Sequence, residues 1–212
     1  MPAPTKVALL IPLYGGASAD FIKGLVSLIF SLKPNPAIDP QVATDDGQPL
    51  SSARNRLLQY VKQNEEAWKP DFVFFLDSDN TVSAESLLQL IEDNCDIASA
   101  LYLMRKPPHR PVILKSAPGK QVKAWQKDYD AESLSEVECL GMGCCAIKLS
   151  VASRMLSEFE YPFDYERVKD EGGKPVYLSE DVVFCDRARK LGYKIWLDSR
   201  VKSAHIGASI SP

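Results

Sequence analysis

Residues 71–80 read Asp-Phe-Val-Phe-Phe-Leu-Asp-Ser-Asp-Asn (DFVFFLDSDN). Asp71 to Leu76 (DFVFFL), apolar after its first residue and rich in aromatic residues, predicts a buried strand, the most evident one in the chain. Four polar turn formers follow at once. The strand thus delivers Asp77, Ser78, Asp79 and Asn80 to its C-terminal end, where open α/β sheets bind ligands.

Upstream, Lys6 to Pro12 (KVALLIP) predicts a buried first strand, and Asp20 to Leu32 a helix stopped by Pro34 and Pro36. Residues 33–50 are rich in Pro, Asp and Gly, with one short strand near Gln41 to Ala43. Ser51-Ser52 can cap a helix from Ala53 to about Asn64, with Leu57, Leu58 and Val61 inward and Arg54 and Asn55 in its first turn. Downstream, Ser83 caps a helix carrying Leu87, Leu88, Leu90 and Ile91, and Asp96 to Met104 reads as the next strand. Residues 105–138 are irregular, with a hairpin around Val112 to Lys115 and Val122 to Trp125. Glu138 to Leu149 (ECLGMGCCAIKL) reads as one strand with a close approach at its two glycines. A helix over 151–158, a charged mobile loop, a helix over Glu180 to Leu191 capped by Ser179 and closed by Gly192, and a strand over Tyr193 to Leu197 complete the chain. The alternation predicts a single α/β domain over 1–212, with a mixed, mostly parallel sheet flanked by helices.

Composition narrows the function classes. Lys+Arg number 25 against 28 Asp+Glu, for a net charge of −3, so no charge excess is available to coat a nucleic acid. No stretch approaches the roughly 18 apolar residues of a membrane span, and the run Val7 to Leu13 is too short and too Pro-interrupted for a secretory signal. The five cysteines (95, 139, 144, 145 and 185) contain no C-x-x-C pair and predict buried free thiols in a reducing cytoplasm.

Two carboxylates at i and i+2 beyond a buried strand can converge on one hard cation such as Mg²⁺ or Mn²⁺, and such a cation suits a diphosphate. The plain alternative is a strand-end turn. Two enzyme classes share the pattern: haloacid-dehalogenase-type phosphatases, with Asp77 as nucleophile and Asp79 as acid/base, and metal-dependent glycosyltransferases with a D-x-D motif. Two strand–helix units precede the motif and no GDxxxD or DD follows a later strand, which disfavours the phosphatase.

The segment 178–207, LSEDVVFCDRARKLGYKIWLDSRVKSAHIG, resembles the C-terminal signature of GT-A-fold glycosyltransferases, particularly the small family-2-like enzymes of phages and large DNA viruses. Pro12-Leu13-Tyr14, Ala53-Arg54-Asn55, FFLDSDN and Gly141 to Gly143 occur in the order that family shows. The resemblance implies an enzyme moving a hexose from a UDP-sugar to a glycan or glycoprotein acceptor, in the host cytoplasm if viral. It implies Mn²⁺, with Mg²⁺ as the other choice, held by Asp79 and His205, with Asp77 as a further candidate ligand. Asp77 would meet the ribose or a metal-bound water, beside Ser78 in the donor site. Pro12, Leu13 and Tyr14 would hold uracil and ribose, and Arg54, with Asn55 near it, would face the base or pyrophosphate. Gly141 and Gly143 would admit donor sugar or acceptor. Glu180 and Asp181 are the catalytic candidates, Asp181 as the base that deprotonates the acceptor if the anomeric centre inverts.

Each has a plain counterpart: a core aromatic at Tyr14, a solvated helical Arg54, a bulge at the glycines, capping acids at Glu180 and Asp181. The processive QxxRW signature is absent, and little sequence follows His205. Either the charged segment 164–178 is the lid, or the chain is the first domain of a longer protein. A nucleotide-sugar-binding module without turnover is the non-enzymatic alternative.

Overall fold

The computed structural model describes residues 3–13, 15–116, 123–126, 128–170 and 172–206. The strand Phe72–Leu76 is buried at every position. Its side chains alternate, as the pleat requires: Phe72, Phe74 and Leu76 enter one core, Val73 and Phe75 the other.

In chain order the first elements are Thr5–Pro12 (β1), Ala19–Leu32 (α1), Ile38–Asp45 (β2), Leu50–Gln63 (α2), Glu65–Trp68 (α3), Phe72–Leu76 (β3) and Asn80–Thr81 (β4). Ala84–Glu92 (α4), Ile97–Leu101 (β5), Ile113–Ser116 (β6), Lys123–Trp125 (β7), Leu134–Val137 (β8), Cys139–Leu140 (β9) and Cys144–Lys148 (β10) follow. Leu149–Glu158 (α5), Glu166–Lys169 (β11), Pro175–Leu178 (β12), Glu180–Lys190 (α6), Ile195–Lys202 (β13) and Ala204–His205 (β14) end the described chain.

Seven strands form the central sheet in the order β2-β1-β3-β10-β5-β13-β8. β1 pairs in parallel with β2 and β3, and β13 in parallel with β5, while β10 runs antiparallel between β3 and β5 and β8 antiparallel on the far edge. Helices α1 and α4 cover one face through Phe21, Leu28, Leu32, Leu87 and Leu90. Helices α2, α5 and α6 cover the other through Leu57, Leu58, Val61, Val151, Met155, Val183 and Phe184. Ser18 and Ser83 cap α1 and α4, each hydroxyl accepting a first-turn N–H at 3.1 Å. Helix α1 keeps Asp20, Lys23, Ser27 and Ser31 on one stripe, and Ile22, Val26 and Phe30 remain exposed beside it.

Several elements differ from expectation. β2 runs the full length of β1, and β13 extends to Lys202. Helix α2 begins at Leu50 with Pro49 in the cap position and no side-chain cap, so the Ser51-Ser52 cap is replaced. The charged segment expected to be a loop is the hairpin β11–β12, turned near Gly173 at φ +75°. The single strand expected over 138–149 is two: β9 pairs with β6 in a small sheet, and β10 enters the central one. The hairpin expected around 112–125 is the β6–β7 pair, Leu114 opposite Trp125. No disulfide joins any of the five cysteines, and four of them are buried. Among the described residues no helix is long and apolar enough to cross a membrane.

One acidic pair is buried away from the sheet's C-terminal edge. Asp198 on β13 has no exposed surface and accepts from Arg200 Nε at 2.8 Å and Nη2 at 3.0 Å. Asp93, after α4, accepts at Oδ1 from Arg200 Nη2 at 2.6 Å and Gln89 Nε2 at 3.1 Å, while its Oδ2 is buried with no donor. Burial first, then Asp198 beside it, raises the Asp93 carboxyl above its ordinary range, so the ionised form of Asp93 is disfavoured there. A raised folded-state value makes stability fall as pH rises through it. Asp93→Asn, whose amide has no carboxylate charge to bury, is expected to raise stability at pH 8 by about 1 kcal/mol, a few degrees in Tm, and to leave it unchanged near pH 4. Thermal melts at the two pH values check this; equal shifts at both would count against a penalty on the charged form.

Candidate active site

The C-terminal ends of β1 and β3 and the N-termini of α1, α2 and α6 meet at one edge of the sheet. Arg54 is the residue around which they assemble. It sits in the first turns of α2 and is 1% exposed. Its guanidinium packs beside the edge-to-face pair of Phe75 and Phe163, at 5.9 and 5.6 Å from their centroids. Both Asp77 oxygens lie 2.9 Å from Nη2, and Nη1 donates to Glu180 Oε1 at 2.9 Å and Asp181 Oδ1 at 2.5 Å. The expectation that Arg54 faces the base or pyrophosphate is corrected: its charge is spent on three carboxylates beneath the cleft.

One cation against three anions leaves the cluster acidic, and burial sharpens the imbalance. Burial raises Asp77 above the ordinary carboxylate range, with Arg54 opposing and Asp79 and Glu180 reinforcing. Burial, against Arg54 and with Glu180 and Asp77 reinforcing, lifts Asp181 to about 7. The Met142 backbone N–H also donates to Asp181. Asp77 and Asp181 keep 20% and 22% of their side-chain surface exposed, against 7% for Glu180. Glu180 also meets the phenol of Tyr165, which burial and then the Glu180 charge push up to about 12.

Asn55 does not face the cleft. Its amide clasps the backbone of Phe163, donating to the carbonyl at 2.7 Å and accepting the N–H at 2.9 Å. Phe163 in turn stacks on Phe184 at 4.3 Å. Asn55 therefore ties the segment before β11 to α2.

The two glycines also have an internal cause. A Cβ on Gly141 would lie 2.0 Å from the Tyr102 hydroxyl, and one on Gly143 would lie 2.7 Å from Asn80 Nδ2 and 3.0 Å from Asp77 Oδ2. The expected approach of sugar or acceptor to this strand is made instead by the protein's own side chains. The Gly143 N–H donates to the Tyr102 hydroxyl at 3.1 Å.

Asp79 and His205, which the resemblance implied as cation ligands, lie side by side. Strand β14 pairs antiparallel with β4, His205 opposite Asn80, and the Ile206 N–H donates to the Asp79 carbonyl at 2.6 Å. His205 Nε2 lies 3.2 Å from Asp79 Oδ2, and its Nδ1 lies 2.8 Å from the Leu103 carbonyl. Burial opposes charge on both groups, yet their contact prevails: His205 is raised above its ordinary value, and Asp79, with Arg105 also near, is lowered. Nδ1–H given to a carbonyl leaves Nε2 as the ligating nitrogen, the usual arrangement behind a metal-bound histidine. One carboxylate and one imidazole fit a cation such as Mn²⁺ that takes its remaining ligands from substrate phosphates and water. Among the described residues no three His, Cys, Asp or Glu side chains gather as a cation site. Asp77, expected as a ligand, has both oxygens on Arg54.

A cleft of about 510 Å³ opens above this edge. Pro12, Gly15, Gly16, Ala17 and Ser18 form one wall, Leu50 joins them, and Asp77, Ser78, Asp79, Arg105 and Ile206 form the rest. Leu13 packs on the core, its N–H donating to the Asp45 carbonyl at 2.7 Å. Tyr14 lies outside the described residues. Arg105 and Tyr102 were not singled out by sequence, since an isolated arginine in RKPPHRP and a tyrosine ending a strand carry no local signature.

No family model and no curated protein sequence matches the chain. Among solved structures it is similar to A197 from STIV, with a TM-score of 0.63 and 16% identity over 95% of this chain and 86% of that one. It is also similar to GalNAc-T7 with UDP, GalNAc and Mn²⁺, with a TM-score of 0.59 and 10% identity over 98% of this chain and 45% of that one. At these identities the likeness is one of fold. The mixed, mostly parallel sheet flanked by helices is the GT-A-like architecture expected from sequence. The likeness supports the GT-A-like fold and does not single out the viral and phage subgroup. The phosphatase reading has no support here, since Asp77 is engaged at both oxygens and its strand is third in the chain.

Proposed function

We propose that the protein is a divalent-cation-dependent glycosyltransferase that moves a hexose from a UDP-sugar to a hydroxyl of a glycan or glycoprotein. The observation that carries this reading is the return of His205 to Asp79 at the wall of the cleft, in a fold whose solved neighbours include one holding UDP, GalNAc and Mn²⁺. Asp79 and His205 would hold the cation, which, when bound, offsets the charge that develops on the departing diphosphate.

The chain's own residues supply the rest. Pro12 and the turn at Gly15–Ser18 wall the donor side, and Ser78 lines the floor between the two acids. Arg54 holds Asp77, Glu180 and Asp181 in fixed positions without itself entering the cleft. Asp181 is the base: it is partly exposed, one oxygen accepts from Arg54, and its value near 7 matches neutral operation. It accepts the proton of the acceptor hydroxyl as that oxygen attacks the anomeric carbon. Glu180, almost buried, supplies the charge that keeps Asp181 basic.

A thermal-shift series with UDP, UDP-glucose and GDP-mannose, each with and without Mn²⁺, tests this reading. UDP or UDP-glucose with Mn²⁺ is expected to stabilise the protein by about 3 kcal/mol at a hundred times Kd. Asp79→Ala is expected to abolish the Mn²⁺-dependent part. The absence of any Mn²⁺-dependent nucleotide shift in the wild type would sink the proposal.

A further inference from the structure

Asp79 Oδ2 is approached by two cationic side chains, not one. His205 Nε2 lies at 3.2 Å and Arg105 Nη1 at 3.3 Å. Only His205 is accounted for by the site described above. Arg105 belongs to the loop between β5 and β6. That loop is pinched at its base, where Leu103 bridges Pro111 and the Met104 N–H donates to the Arg110 carbonyl at 2.8 Å. Arg105 is the next residue outward. It is 54% exposed and lines the cleft opposite the turn that leads into α1.

We propose that Arg105 is an exchangeable counter-ion: it neutralises Asp79 while no cation is bound there, and it passes to the diphosphate of the nucleotide when a divalent cation takes Asp79. The inference rests on the reading of the cleft as a nucleoside-diphosphate site. A guanidinium cannot discharge itself by losing a proton. Once a divalent cation claims the Asp79 carboxylate, Arg105 is left as a fixed positive charge beside that cation, and the two repel. The described ion pairs offer Arg105 no other carboxylate. A diphosphate lying in the cleft is then the nearest anion, and the planar guanidinium can grip two of its oxygens at once. The half-exposed side chain on a narrow loop can make this exchange by rotamer change alone, without moving the sheet edge. The same carboxylate thus keeps the clamp folded back in the free protein and releases it only when the cation that the diphosphate needs has arrived. Binding of cation and nucleotide is thereby coupled in that order.

Calorimetric titration of the full chain, first with Mn²⁺ alone and then with UDP at saturating Mn²⁺, tests the exchange. Arg105→Gln removes a competitor for Asp79 and is expected to bind Mn²⁺ alone about 2- to 5-fold tighter, the scale of a surface ion pair. It is expected to bind UDP about 10- to 100-fold more weakly, the scale of lost charge-assisted hydrogen bonds. The opposite signs are the signature, since loss of a merely structural arginine weakens both. Arg105→Lys, which keeps the charge but not the fork, should fall between. Arg105→Gln with UDP affinity equal to wild type, or with weaker Mn²⁺ binding, overturns the inference while leaving the glycosyltransferase reading intact. A wild type that binds neither Mn²⁺ nor UDP overturns both.

Discussion

Replacing Arg54 with alanine is expected to cost about 3–5 kcal/mol of folding stability at pH 8, a fall in Tm of about 10 °C or more. The cost comes from what remains. Asp77, Glu180 and Asp181 all bond to this one guanidinium, which has almost no exposure, and without it three carboxylates face one another in a largely dehydrated pocket. The packing of the guanidinium against Phe75 and Phe163 is lost as well. The pH dependence separates these two contributions. Burial already raises Asp77 and Asp181 while Arg54 opposes the rise, so the variant's carboxyls rise further above their unfolded values. A raised folded-state value means stability is present below the unfolded value and lost as pH climbs through the folded one. The deficit of Arg54→Ala should therefore be small near pH 4, where only the packing loss counts, and should widen up to about pH 8. Melting curves across that range decide it. A deficit of constant size would show that the arginine acts by filling space. Arg54→Lys, with a compact ammonium in place of the fork, is expected to recover only part of the loss.

Asp181→Asn is expected to lower the rate of sugar transfer about 10²- to 10⁴-fold while leaving Mn²⁺-dependent UDP binding in place. The wild-type rate should climb with pH up to about 7 and then level, because a base must be ionised to accept a proton and the Asp181 carboxyl titrates there. The variant's residual rate should lose that rise. Transfer measured from pH 5.5 to 8.5 for both proteins is the check; an Asp181→Asn enzyme that keeps the wild-type pH profile removes Asp181 from the role of base. Substituting an amide preserves volume and one acceptor oxygen for Arg54, so loss of activity with a normal melt separates chemistry from folding.

Much of the fold was legible because the relevant signals are local. Phe72–Leu76 carries its own burial, Ser18 and Ser83 carry their own caps, and Gly192, at φ +91°, ends α6 where no side chain is welcome. The parts that were misread depend on partners far along the chain. β2 is polar because it is an edge strand, and only pairing with β1 reveals its length. The hairpin β11–β12 is charged on its exposed sides, so its alternation resembles a loop. Glu138 to Leu149 reads as one apolar strand, yet Gly141 must pass beneath the Tyr102 hydroxyl as the chain changes sheets.

The site divides in the same way. Sequence alone determined a two-sided apolar strand ending in two carboxylates, a second acidic pair opening a helix, and a histidine near the end of the described chain, because residue type and spacing are properties of the chain itself. Only the tertiary structure decided what these groups do to one another. It turned Arg54 from a candidate ligand-binding residue into the buried partner of three acids, gave the glycines to Tyr102 and Asp77, and set His205 and Arg105 against the same oxygen of Asp79. Charge compensation over a few ångströms depends on which side chains share a dehydrated space, and residues 54, 77 and 181 share theirs only after the sheet has closed.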